Sequence, residues 1–332
     1  MVASFAPWSE HPRSLTGPPR EWGAGEGPER RDGFDGNCWL PPWIEHHDEI
    51  AELARKQLFF VGGAPRSGTT WVQRILDLHP EVSCRGEGLF QKHLAQPLEA
   101  LMKGRAEALA AKNIELFGDT GGYPPPAPDD VEVLLGTAIL LALARHGAGT
   151  TCRAIGEKTP ENVFFFPRLK QLFPRAKCIV IARDPRDVLT SAWHFFHKPV
   201  AGEDEIAAKF AFIRLALPSL DQGARASIDL AARHPADCMT ITYETLRRTP
   251  ELVVSNMFRF LSVSDAPGIV ADCVARASFA ALTGGRRAGI EQDGAFLRKG
   301  IAGDWAFTLT PEMNDLVMRE LGWMFPHFGW NP

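Results

Sequence analysis

The sequence predicts an α/β fold with a mostly parallel central sheet and helices on both of its faces. Two short, uninterrupted apolar runs, at 58–61 (LFFV) and 178–182 (CIVIA), read as strands buried on both sides. Each runs through a loop into a segment of helical spacing. Strand and helix patterns then alternate along the chain with no internal repeat, as a covered parallel sheet requires.

In order along the chain, residues 1–42 are rich in Pro, Gly, Trp and charge without apolar periodicity. They are expected to form an extended or partly ordered arm ahead of a folded domain at 43–332. A short helix is expected at 43–56. The strand at 58–61 leaves through Gly62 and Gly63, and Trp71, Ile75 and Leu78 give 69–78 a helical period. Residues 91–130 hold helical material and then GDTGGYPPPAPDD, too rich in proline to be regular. Beside a binding site that segment is either a gate or a passive surface loop. Further helices are expected at 131–145, 162–172, 185–196, 204–233, 249–261, 266–277 and 311–321, with strands at 153–156, 178–182 and 239–242 and a loop at 283–304.

With 332 residues, 45% of them apolar and 23% charged, the chain is long enough to bury a full core. Its net charge of -4 gives no general attraction for nucleic acid or an anionic membrane, so any polyanionic ligand must be held by a local cluster of donors. The six cysteines lack close C-x-x-C spacing, which argues against a disulfide scaffold or zinc site and for buried thiols. No basic segment followed by an apolar stretch opens the chain, and the apolar run at 131–144 is too short to span a bilayer. The expected protein is cytoplasmic, with no transmembrane segment and no nucleic-acid partner.

The loop at 62–71 (GGAPRSGTTW) joins the first strand to a helix. Ser67, Gly68, Thr69 and Thr70 place consecutive N–H groups where a helix start has unpaired donors and its dipole favours an anion. A nucleoside-triphosphate loop has G-x-x-x-x-G-K-[ST]; Gly63 and Gly68 keep that spacing, but Thr69 stands where the lysine belongs. Farther on, 178–191 (CIVIARDPRDVLTS) ends a strand in Arg183 and sets Ser191 two turns into the next helix. That crevice suits a phosphate, which a guanidinium engages bidentately.

These segments resemble the family of PAPS-dependent sulfotransferases, PAPS being 3'-phosphoadenosine 5'-phosphosulfate. PRSGTTW at 65–71 resembles its 5'-phosphosulfate loop; the resemblance implies Arg66 at the bridging and sulfuryl oxygens, Gly68, Thr69 and Thr70 at the 5'-phosphate, and Trp71 near the adenine. Arg183 and Ser191 fit its 3'-phosphate motif, with pairing of Arg183 to Asp184 or Asp187 as the structural alternative. FLRKGIAGDW at 296–305 resembles its late signature and implies Arg298, Lys299 and the Gly300 backbone at the 3'-phosphate; Arg286 and Arg287 would assist at the mouth or be solvated. Tyr243 in TYETL and Phe279 in ASF resemble the residues that flank the base, Ala277 replacing the usual threonine. The matches run in family order from 58 to 305. They imply a three-layer, P-loop-type fold, PAPS as sulfuryl donor, 3',5'-adenosine bisphosphate as product, and no metal.

Sulfuryl transfer needs an in-line acceptor, charge relief at the bridging oxygen and a base for the hydroxyl proton. Arg66 and Lys158 (in GEKTP) are the expected charge stabilisers, with an ion pair to Glu157 or Glu161 as the alternative for Lys158. No histidine aligns with the base of the cytosolic members. Instead Glu87 in CRGEG resembles the glutamate base of the tyrosylprotein members. The alternatives are a structural clamp by Glu87 on Arg85 or another basic group, or His93, His194, His197 or another histidine as base. The expected acceptor is a hydroxyl of a small molecule, sugar, lipid or phenol, with an exposed peptide tyrosine as the alternative that the Glu87 resemblance implies and a homodimer as the candidate assembly. The rival functions are a small-molecule kinase and a non-catalytic 3'-phosphonucleotide-binding protein. Wide separation of Arg66, Glu87 and Lys158 would favour the last.

Overall fold

Five strands form one sheet in the order β2-β3-β1-β4-β5, all parallel. They are β1 (Gln57–Gly63), β2 (Val82–Cys84), β3 (Ala154–Lys158), β4 (Lys177–Ala182) and β5 (Cys238–Thr242). This computed structural model describes residues 49–118, 121–147, 152–198, 200–292 and 294–332; the expected arm at 1–42 and the start of the helix expected at 43–56 lie outside them. β1 is the central strand, buried from Leu58 to Gly63. Its side chains alternate between two cores: Phe59 and Val61 join Ile75, Ile181 and Phe258, while Leu58 and Phe60 join Phe166, Leu169 and Val180.

The first core is covered by α1 (Thr69–Asp77) and, past β5, by α8 (Pro250–Phe260) and α9 (Pro267–Arg276). Between β2 and β3 run α2 (Gln96–Phe117), entered through a π-helical turn at Gln91–Ala95, and α3 (Asp130–Gly147). With α4 (Asn162–Leu172), α3 covers the second core. A third core joins α5 (Pro185–Phe196), α6 (Glu205–Arg233) and α11 (Pro311–Leu321) at the C-terminal end. Short helices α7 (Tyr243–Arg248), α10 (Phe279–Leu282) and α12 (Met324–Phe328) complete the described chain.

The expected helices at 162–172, 185–196 and 311–321 have the observed ends; most other elements differ by one to three residues, and β2, α7, α10 and α12 are additional. Five cysteines, Cys84, Cys152, Cys178, Cys238 and Cys273, are free and buried. No helix among the described residues is long and apolar enough to cross a membrane. Because every strand is parallel, all five C-terminal ends open on one edge, with β1 between β3 and β4 at the point where the chain reverses direction across the sheet.

Candidate active site

Each strand end delivers a side chain or loop to a cavity of about 470 Å³ on that edge. After β1, the loop turns through Arg66 at φ 72° and Gly68 at φ 108° before α1 begins. No side chain caps α1 and its first turn holds no acidic residue, which leaves the amides of its first turn available to an anion, and Thr69 and Thr70 line the cavity. Gly68 is required twice over: its left-handed φ strains any L residue, and a Cβ there would sit 2.9 Å from the Tyr243 ring. Ser67 is fully buried and its hydroxyl has no hydrogen-bond partner among the described residues. It lies behind the lining, whereas Arg66, Gly68, Thr69, Thr70 and Trp71 are on it.

Arg183 follows β4. Its guanidinium donates to the Arg66 carbonyl at 3.1 Å and the Ile301 carbonyl at 2.9 Å, lies 4.2 Å over the Tyr243 ring, and faces Asp187 at 3.8 Å. Its Nε is buried with no partner among the described residues. Asp187 is therefore the structural partner and Asp184 is not; Asp184 instead forks onto Arg186. Burial pushes the Asp187 carboxyl up, against the pull of Arg183 and of the Gly303 and Trp305 amides that it accepts. Those two amide bonds fix the late loop to α5. Ser191 accepts from Arg66 Nε at 3.3 Å, and the Arg66 guanidinium lies 4.3 and 4.7 Å from the ring centroids of Phe195 and Phe296, two rings set edge to face. Arg66 thus spans toward the residue expected at the 3'-phosphate.

The base-flanking residues form one wall. Trp71 donates its indole N–H to the Ala277 carbonyl at 2.9 Å and meets Tyr243 edge-on at 5.6 Å. Gly300, at φ 65°, packs so closely on Phe279 that a Cβ would lie 2.2 Å from its ring. In the same loop Arg298 pairs with Glu291 at 2.6 Å and with Asp304, and Lys299 pairs with both carboxylates at 2.9 Å. Burial pushes the Glu291 and Asp304 carboxyls up, but the hydrogen bonds from these cations outweigh it and hold both below their ordinary values. Arg286 stitches the loop by donating to the Ile290 carbonyl at 2.7 Å and to the Arg298 and Leu297 carbonyls.

Lys158 closes β3 with its side chain 5% exposed and pairs with Glu87, which is 41% exposed. Glu157 places that glutamate. Its buried carboxylate accepts from the Gly88 amide at 3.0 Å, Thr159 at 2.8 Å and Asn162 at 2.7 Å, while the Lys158 amide donates to Gly86 at 3.1 Å. The segment after β2 is thereby pinned against the end of β3. Arg85 pairs with Asp77, so Glu87 is free of it. Glu87 and Arg66 line the same cavity; of the three expected catalytic residues, Glu87 and Lys158 are brought into contact, while the Arg66 guanidinium is turned to Ser191 and the Phe296 carbonyl. None of His93, His194 and His197 lines it; burial lowers His194, and His197 pairs with Glu203 at 3.0 Å.

Sequence reasoning missed the aromatic wall of Phe195, Phe196 and Phe296, and Glu161, all of which line the cavity. The phenylalanines lie next to motifs already singled out, so adjacency was their only signal. The described part of the proline-rich segment at 118–130 contributes nothing to the lining.

A sulfotransferase family model matches residues 59–267, well over half of the chain. The chain belongs to the sulfotransferase family. It is 29% identical over 210 residues to a putative protein-tyrosine sulfotransferase of Caenorhabditis briggsae, covering 63% of this chain and 66% of that relative, just under two thirds of its length. It is 27% identical over 269 residues to Sulfotransferase 1A1 of Bos taurus, covering 76% and 78%. A solved sulfotransferase of Mycobacterium avium shares the fold, with TM-score 0.50, 14% identity, and coverage of 87% of this chain and 81% of that one. The matched range of the sulfotransferase family model holds Arg66, Glu87, Lys158, Arg183, Ser191 and Tyr243; Phe279, Arg298, Lys299 and Gly300 lie beyond it.

Proposed function

We propose that this chain transfers the sulfuryl group of PAPS to a hydroxyl acceptor, with a phenol as the acceptor favoured by the aromatic wall and by the protein-tyrosine relative. The observation that carries the reading is one cavity lined both by the anion loop and by Glu87, which pairs with Lys158. The phosphosulfate would rest on the amides at 68–70, the 3'-phosphate near Arg183 and Ser191, and the adenine between Trp71, Tyr243 and Phe279. The acceptor oxygen attacks sulfur while the bond from sulfur to the bridging oxygen breaks. The electron pair leaves with 3',5'-adenosine bisphosphate, and the hydroxyl proton passes to the Glu87 carboxylate. Lys158 has three donors and spends one on Glu87, leaving others for the bridging oxygen. Arg66 and Lys158 supply the charge relief, so the reading calls for no metal. Buried free thiols suit a reducing compartment such as the cytoplasm.

Calorimetric titration with 3',5'-adenosine bisphosphate, beside ATP with magnesium and 5'-AMP, tests the reading. Selective binding of the bisphosphate is expected; equal or tighter binding of ATP would put a kinase first. Glu87→Gln should lower turnover of PAPS with a phenolic acceptor by roughly 10²–10⁴-fold, with bisphosphate affinity retained. Full turnover in that variant would remove Glu87 as the base.

A further inference from the structure

The acceptor end of the cavity holds a second carboxylate that sulfuryl transfer does not use. Glu161 sits just ahead of α4, one residue past Pro160, and both line the cavity together with Glu87. The cation closest at hand, Lys158, is nearly buried and committed to Glu87. Among the described residues no lysine or arginine forms an ion pair with Glu161. The neighbouring Glu157 is sealed by its three hydrogen bonds and fully spoken for. Burial pushes the Glu161 carboxyl up against a hydrogen bond from its own backbone; the charge of Glu87 adds to the rise, and Lys158 and Lys92 oppose it more weakly. A half-buried carboxylate in this position gains most from a cation that arrives with the ligand.

We propose that Glu161 selects the acceptor, and that the acceptor is a phenol or alcohol carrying a protonated amine, whose ammonium meets Glu161 while its hydroxyl faces Glu87. This rests on the transferase reading and narrows its substrate class. Phe195, Phe196 and Phe296 line the same cavity and give it apolar area for an acceptor ring, although the Phe195 and Phe296 faces already carry the Arg66 guanidinium. An acceptor whose hydroxyl is flanked by carboxylates, such as an acidic peptide, would bring like charge against Glu87 and Glu161 and is disfavoured.

The test uses the full chain saturated with 3',5'-adenosine bisphosphate and three phenols of matched size: tyramine (cationic), 4-ethylphenol (neutral) and 4-hydroxyphenylpropionate (anionic). Calorimetry is expected to show tyramine binding about tenfold more tightly than 4-ethylphenol, the size of one charge-assisted contact, and the anionic phenol most weakly. Glu161→Gln should bring tyramine and 4-ethylphenol to parity while the bisphosphate still binds, which also reports that the variant is folded. Parity of the three phenols on the unmodified chain would overturn the inference on its own, as would a cation preference that survives in Glu161→Gln. Absence of bisphosphate binding to the unmodified chain would instead overturn the transferase reading, and this inference with it.

Discussion

The two loops that would hold the nucleotide's phosphates meet an anion by different means. At 65–71 the donors are backbone amides at the start of α1, set by the left-handed turns of Arg66 and Gly68, with no acidic residue in the first helical turn. At 296–304 the positive charge belongs to Arg298 and Lys299, and Glu291 and Asp304 are already paired with it. Backbone donors are organised by the fold and need no counter-ion. Side-chain cations in a partly buried loop need one, and a phosphate arriving there exchanges with a carboxylate rather than adding to a bare charge. The first loop is a preset cradle and the second a set of charges held in reserve.

Arg183 touches both loops through the carbonyls of Arg66 and Ile301, so its loss should blur the comparison most. Arg183→Ala is expected to weaken bisphosphate binding by roughly 10²-fold or more, the loss of a bidentate phosphate contact together with its supports. It should also cost about 1–3 kcal/mol of stability, because the buried Asp187 loses its cation. Calorimetry and chemical denaturation read the two effects separately. Gly68→Ala acts on the first loop and on the Tyr243 ring that its Cβ would press: strain of about 1–3 kcal/mol should appear as a roughly tenfold to hundredfold drop in bisphosphate affinity. An unchanged affinity would mean that the loop's geometry is not what holds the 5'-phosphate.

Glu291→Gln probes the reserve and carries the smallest effect. Freed of one counter-ion, Arg298 and Lys299 should bind bisphosphate several-fold more tightly, while the free chain loses no more than about 1 kcal/mol from a partly exposed pair. That contribution has a definite sign with pH. The Glu291 carboxyl lies below its ordinary value in the folded chain, so its share of stability is present above the unfolded carboxylate's range and disappears as pH falls through the folded value. The melting temperatures of the two chains should therefore converge in acid; a gap that persists there would assign the effect to something other than this ion pair.

The sequence disclosed what depends on local pattern. LFFV declares a buried strand by being apolar on both faces, and Pro185 and Pro311 mark helix starts because proline fits the first turn. The anion loop was legible because glycine spacing is a backbone constraint written directly in residue type. β2 was not legible: three residues carry no measurable alternation, and pairing with β3 is what makes them a strand. The strand order was equally hidden, since nothing local says that β1 lies between β3 and β4. Glu87, Glu161 and Glu291 are three exposed-looking glutamates in sequence. What separates a partner of Lys158, an uncommitted carboxylate and a clamp on Arg298 is which cation the fold brings close, a property of distant residues.

The buried cysteines have a use of their own. Cys84 lies in β2, Cys178 in β4 and Cys238 in β5, so one thiol marks each outer strand and one an inner strand. Burial raises all three, Cys238 to about 11, and shields them from reagents. A thiol reagent therefore modifies each only when its strand opens, and the order in which the three are tagged is a built-in clock for whether the sheet comes apart from one side or all at once.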